Sequence, residues 1–135
     1  MANNQKKRGI YVSYNDKKNG GIEEPVCISI QEDYLIWFHP ASINPSNLDY
    51  PSTVIIRIKA KELYYRGTLI TIEKRNENRF KELIKDKVHR PPSWIDVDIA
   101  DYKKFKSVLF IRGLRSVVKP LEISGLPPPQ SHYYF

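Results

Sequence analysis

Val54-Ile55-Ile56-Arg57-Ile58-Lys59-Ala60 decides the fold class. Ile56, Ile58 and Ala60 alternate with Arg57 and Lys59, the period-two pattern of a strand with one face buried. A second β-rich run follows from Leu63 to Ile72, carrying Tyr64, Tyr65, Thr68, Ile70, Thr71 and Ile72. Gly67 stands within it where a bend or bulge is expected.

On the N-terminal side, residues 1–7 read as a flexible basic arm and Gly9 to Tyr14 as a first strand. Asn15 to Gly21 carries strong turn chemistry, because Asn and Gly tolerate positive φ. Pro25 to Ile30 reads as a second strand, which places Cys27 as a buried small hydrophobe, and Tyr34 to Phe38 as a third. Pro40 to Pro51 reads as a loop.

On the C-terminal side the period changes. Phe80, Leu83, Ile84 and Val88 recur at helical spacing, which predicts an inserted helix over roughly 77–88 with Asn76 or Asn78 as its cap. Arg90-Pro91-Pro92 is its expected stop. Trp94 to Ile99 alternates again, Ser107 to Ile111 reads as an apolar strand ending before Gly113, and Arg115 to Leu121 as a last strand or short helix. Residues 127–135 form a Pro-rich aromatic tail, with polyproline II expected at Pro127-Pro128-Pro129. Short strands with one helix imply a mainly β domain over residues 8–126, a small SH3-like, partly open β-barrel.

The 135 residues leave room for one core and exclude an enzyme with separate cofactor and substrate domains. Charge is unevenly placed: residues 1–20 net +4, 21–56 net −5, 57–90 net +6 and 91–135 net +2. A basic face of this kind concentrates polyanions such as RNA. No apolar run is long enough to span a membrane, and no apolar stretch follows the basic start as in a signal peptide, so a cytoplasmic protein without membrane contact is expected.

Much chemistry is missing. There is no phosphate-binding glycine loop and no dinucleotide fingerprint, so no cofactor is expected. Cys27 is the single cysteine, and His39, His89 and His132 are scattered, which makes a poor metal site; none is expected. Asp96 and Asp98 share a strand face, read as solvated.

What remains is cationic. Arg66, Lys74, Arg75, Arg79 and Arg112 are candidate phosphate contacts, and Tyr64, Tyr65 and Trp94 are rings on which unpaired bases can stack. Arg57, Lys59 and Arg115 are the candidates for catalysis, since cations stabilise the charge built up when RNA is cleaved through its own 2′-hydroxyl without metal. A ribonuclease and a plain RNA binder share this composition.

The segment order Lys7-Arg8-Gly9-Ile10-Tyr11-Val12, then Pro25-Val26-Cys27-Ile28-Ser29-Ile30, then Pro51-Ser52-Thr53-Val54-Ile55-Ile56, then Ser107-Val108-Leu109-Phe110-Ile111-Arg112 resembles the MazF/PemK toxin family over residues 7–121. The resemblance implies an endoribonuclease toxin acting on single-stranded RNA, with an antitoxin partner. It also implies a catalytic arginine where Glu24 stands and a catalytic threonine or serine where Lys59 stands. Tyr65-Arg66-Gly67-Thr68-Leu69-Ile70 and Phe110-Ile111-Arg112-Gly113 are similar to segments of Sm-like RNA-binding proteins, which implies a non-enzymatic module and a homo-oligomer. Three functions stay open: endoribonuclease, RNA-binding module, and protein-interaction component.

Overall fold

The Val54 segment is the inner part of a longer strand, Leu48–Ile58, whose apolar residues Val54, Ile56 and Ile58 are all buried. The computed structural model describes residues 6–16, 20–59, 61–91 and 105–135. In chain order the elements are β1 (Lys7–Tyr14), α1 (Glu23–Gln31), β2 (Leu35–His39), β3 (Leu48–Ile58), β4 (Tyr64–Lys74), α2 (Glu77–Leu83), β5 (Ser107–Val117) and β6 (His132–Tyr134). Short 3-10 turns stand at Pro45–Asn47 and Leu121–Ile123.

Among the described residues the six strands belong to one sheet, in the order β2-β5-β4-β3-β1-β6. β1 runs parallel to β3, and the other pairings are antiparallel. The sheet curls. Trp37 on β2 meets Tyr14 on β1 edge-on at 5.4 Å, although three strands lie between them in the sheet. His39 at the end of β2 likewise meets His132 on β6 at 5.7 Å. The two sheet edges therefore approach through side chains while sharing no ladder among the described residues, and the six-stranded sheet stays open. The product is a mainly β fold with, among the described residues, α1 and α2 where one helix was expected.

Alternation sorts the side chains. Ile10, Val12, Val54, Ile56, Leu69, Leu109, Ile111 and Leu114 point inward, with Leu35 and Trp37, and form the main core. On the outer surface, Ile36, Phe38, Val108 and Phe110 are covered by Phe80 and Leu83 of α2. Farther along that surface, Tyr11, Ile55 and Tyr64 are covered by Ile123 and partly by Tyr133 and Phe135.

Several expected elements change. Pro25 to Ile30 is helix rather than strand. Ile22, Pro25, Val26 and Ser29 have the spacing of one helical face, and Ile22, Pro25 and Ser29 are buried. Pro25 sits in the first turn, where a missing N–H has no helical partner to lose, and Glu23 and Glu24 suit the positive end of the helix. Cys27 consequently lies on the far side of α1 and is exposed rather than buried. α2 is shorter than the 77–88 span, ending at Leu83 well before the prolines. Its cap is Asn76, whose side-chain oxygen accepts from the Arg79 N–H at 3.0 Å. The tail does not stand apart, because His132–Tyr134 is the sixth strand.

The two expected C-terminal strands are one, β5, continuous through Gly113. Gly113 has φ +67°, a left-handed conformation costing roughly 1–2 kcal/mol for other residues. Register confirms a bulge: Arg66 faces Arg115 and Thr68 faces Arg112, so three steps on β5 match two on β4. Gly67 stands opposite, where a Cβ would come within 2.8 Å of the Leu114 side chain and 3.1 Å of the Arg112 carbonyl.

Candidate functional site

In a regular strand, residues three apart point to opposite faces. The extra residue at Gly113 cancels that. Ile111 and Leu114 both enter the core, and Arg112 and Arg115 both turn to the outer surface. Arg66 lies directly across from Arg115 on the same surface. The three arginines sit between the cover supplied by α2 and the cover supplied by the Leu121–Ile123 turn. Like charges opposed across a ladder destabilise a sheet. One carboxylate relieves this: Glu122, on that turn, is in close contact with the Arg66 guanidinium. The pairing raises the Arg66 pKa and lowers that of Glu122. Arg112 and Arg115 are exposed, and among the described residues neither has a carboxylate partner.

The other expected site residues divide. Arg57 is on the outer face but is largely covered and bonded to Glu62 at 3.3 Å. Lys59 is exposed in the turn after β3 rather than on the strand. Tyr64, at 4% exposure, keeps its ring in the outer cluster and donates its hydroxyl to Glu62 at 2.6 Å. Tyr65 packs half-buried against the main core. Neighbouring Tyr11 is pushed up to about 12 by burial.

Lys74, Arg75 and Arg79 gather at a small cleft with Phe38, Phe80 and Phe105, beside the start of β5. Arg79 is held there by Glu73 at 2.9 Å and Glu82 at 3.1 Å. That cleft lies about 25 Å along β4 from Arg66, given strand rise, so the cations read together in the sequence form two separate groups. Trp94, Asp96 and Asp98 lie outside the described residues. Among the described residues no three His, Cys, Asp or Glu side chains gather to hold a metal ion.

Two histidines acquire opposite character. His39 is buried at the seam between the sheet edges, its Nε2 without a hydrogen-bond partner among the described residues, and burial with nearby His132 pushes its pKa down to about 4. His89 lies beneath the Tyr34 ring at 4.0 Å and bonds Asp86 at 2.8 Å and Asp33 at 2.7 Å. Burial pulls its pKa down, but the two carboxylates outweigh this and leave it raised.

The pH consequences follow by linkage. Folded His39 refuses a proton that the unfolded chain accepts below pH about 6.5, so it costs about 3 kcal/mol of stability by pH 4. His89 contributes stability that is present below about pH 6.5 and lost as pH rises through its raised folded value. Urea unfolding across pH should show a larger His89→Gln penalty at about pH 5.5 than at about pH 8.5. Equal penalties would mean the carboxylate bonds to His89 do not hold in solution. His39→Asn should flatten the acid limb.

No family profile matches the chain, and no curated protein matches it. A solved structure does: an ASCH protein from Zymomonas mobilis, TM-score 0.59 at 12% identity, covering 95% of this chain and 87% of that one. At that identity the likeness concerns the fold. It replaces the expected MazF/PemK and Sm-like relationships, and the toxin activity and antitoxin partner implied by the first are set aside with it. The segment order misled because its second strand, Pro25 to Ile30, is a helix here. Glu122 was missed by sequence reasoning, since nothing local to Leu121-Glu122-Ile123 points to a residue 56 positions earlier.

Proposed function

We propose that this chain is a non-catalytic RNA-binding module, with the outer surface of β4 and β5 as its binding face. The observation that carries the proposal is the pair of exposed arginines, Arg112 and Arg115, without a carboxylate partner among the described residues and turned to one side by the Gly113 bulge beside Arg66. With only Arg66 neutralised by Glu122, the patch keeps a net positive charge, and planar guanidinium forks suit phosphate oxygens. A single strand fits a strip two β-strands wide, and the proposed face is the arginine patch alone, since α2 covers the outer surface between it and Lys74 and Arg75. Among the described residues no helix is long and apolar enough to cross a membrane. An exposed free thiol at Cys27 suits the reducing cytoplasm. Cleavage is the less favoured reading, because Arg57 is engaged with Glu62 and lies two strands from Arg115.

Replacing Arg112 and Arg115 together by alanine should weaken binding of a labelled single-stranded RNA at least tenfold at about 0.1 M salt, and lower the salt slope by about 1.4. Fluorescence anisotropy over a salt series reads both, and a gel of the same samples reads cleavage. Unchanged affinity and slope would remove this face as the site. Discrete cleavage products would restore the ribonuclease.

A further inference from the structure

We infer that Glu122 is a built-in competitor for phosphate, occupying Arg66 in the free protein and yielding it when RNA binds. This deepens the proposed RNA-binding reading and rests on it.

The carboxylate comes from an independent element. Glu122 belongs to the Leu121–Ile123 turn, whose backbone is anchored by fully buried Ile123 in the outer cluster. Its own side chain is exposed and touches Arg66 at the rim of the arginine patch. Rotation of the Glu122 side chain therefore releases Arg66 without moving the turn. Carboxylate and phosphodiester present similar oxygens to a guanidinium, so they compete for one seat. An exposed ion pair of this kind is weak, which lets a phosphate chain held also by Arg112 and Arg115 displace it. Without Glu122, Arg66 and Arg115 face each other uncompensated. The carboxylate thus calms the empty face and taxes the occupied one, which raises the number of simultaneous phosphate contacts a ligand must offer. Short anions and isolated phosphates are disfavoured against an extended polyanion.

The test compares E122Q with wild type, using a fluorescein-labelled single-stranded RNA of mixed sequence and, separately, inorganic phosphate. E122Q should bind the RNA about three- to tenfold more tightly at low salt and show a salt slope steeper by about 0.7. Inorganic phosphate should bind E122Q measurably better than wild type. Adding R66A to E122Q should abolish both gains, because the competitor acts only through that guanidinium. If E122Q binds RNA no better than wild type while the Arg112/Arg115 double variant is weakened, the inference is overturned and the binding face stands. If the double variant binds as well as wild type, the face itself is wrong and the inference falls with it. A tighter E122Q whose gain survives R66A would also overturn it, leaving general charge in its place.

Discussion

Removing residues 131–135 should cost about 5 kcal/mol, on the scale of the stability of a domain this size, and leave the chain largely unfolded or aggregated. These residues are β6 and its end. Ile10 pairs with Tyr134, Tyr11 with Tyr133 and Val12 with His132. The Phe135 carbonyl accepts from Arg8 and Gly9, and the Phe135 N–H returns to Gly9 at 3.0 Å. The Phe135 ring occupies the space a Cβ on Gly9 would need, with a ring atom 2.4 Å from that point. Tyr133 stacks on Tyr11, and the Tyr134 hydroxyl accepts from the Asn44 N–H at 3.2 Å. Truncation therefore strips the outer cluster and opens the seam at His39. It also bares the edge of β1, an eight-residue strand with few charges, which invites edge-to-edge association. Urea unfolding of Phe135→Ala provides the milder version, with an expected loss of about 2 kcal/mol. A truncated chain that stays monomeric and unfolds at the wild-type midpoint would refute this assignment of the tail.

Arg90→Ala should cost about 3 kcal/mol or more. The Arg90 side chain is completely buried. Its guanidinium donates to the Ile84 carbonyl at 3.0 Å and lies over the Phe38 ring at 5.1 Å. It fastens the segment after α2 to the edge strand β2, where the Ile36 N–H also donates to the His89 carbonyl at 2.8 Å. Alanine leaves a cavity and an unsatisfied carbonyl. Arg90→Met keeps most of the volume while leaving the Ile84 carbonyl without its donor, so it should cost less than alanine by the cavity contribution alone, about 1–2 kcal/mol. Thermal melting of the two variants separates packing from charge. An alanine variant within 1 kcal/mol of wild type would show that Arg90 is not a structural fastener.

Several features were legible from local sequence because local physics determines them. Val54 to Ile58 alternates, and alternation has one good solution, a strand with a buried face. Asn76 precedes an apolar 3.6-residue period, and it caps α2. The cationic character of Arg66, Arg112 and Arg115 is likewise plain from composition. Pro25 to Ile30 was ambiguous for a physical reason: Val26, Ile28 and Ile30 alternate as a strand would, while Ile22, Pro25, Val26 and Ser29 mark a helix face. What decided between them was the core available to α1, where Ser29 accepts the Leu114 N–H at 3.0 Å.

By itself, then, the sequence determined a basic, mainly β chain, with its central strands and its capped helix. Those traits depend on neighbours within a few residues. Tertiary structure decided the candidate site. Arg112 and Arg115 share a surface only because Gly113 takes φ +67° within a paired strand, and a regular strand would have parted them. Arg66 meets Glu122 across 56 positions, and Ser13 meets the Pro129 carbonyl across 116. Such meetings follow from register and from the curl of the sheet, which depend on how the whole core packs and are absent from any single stretch of chain.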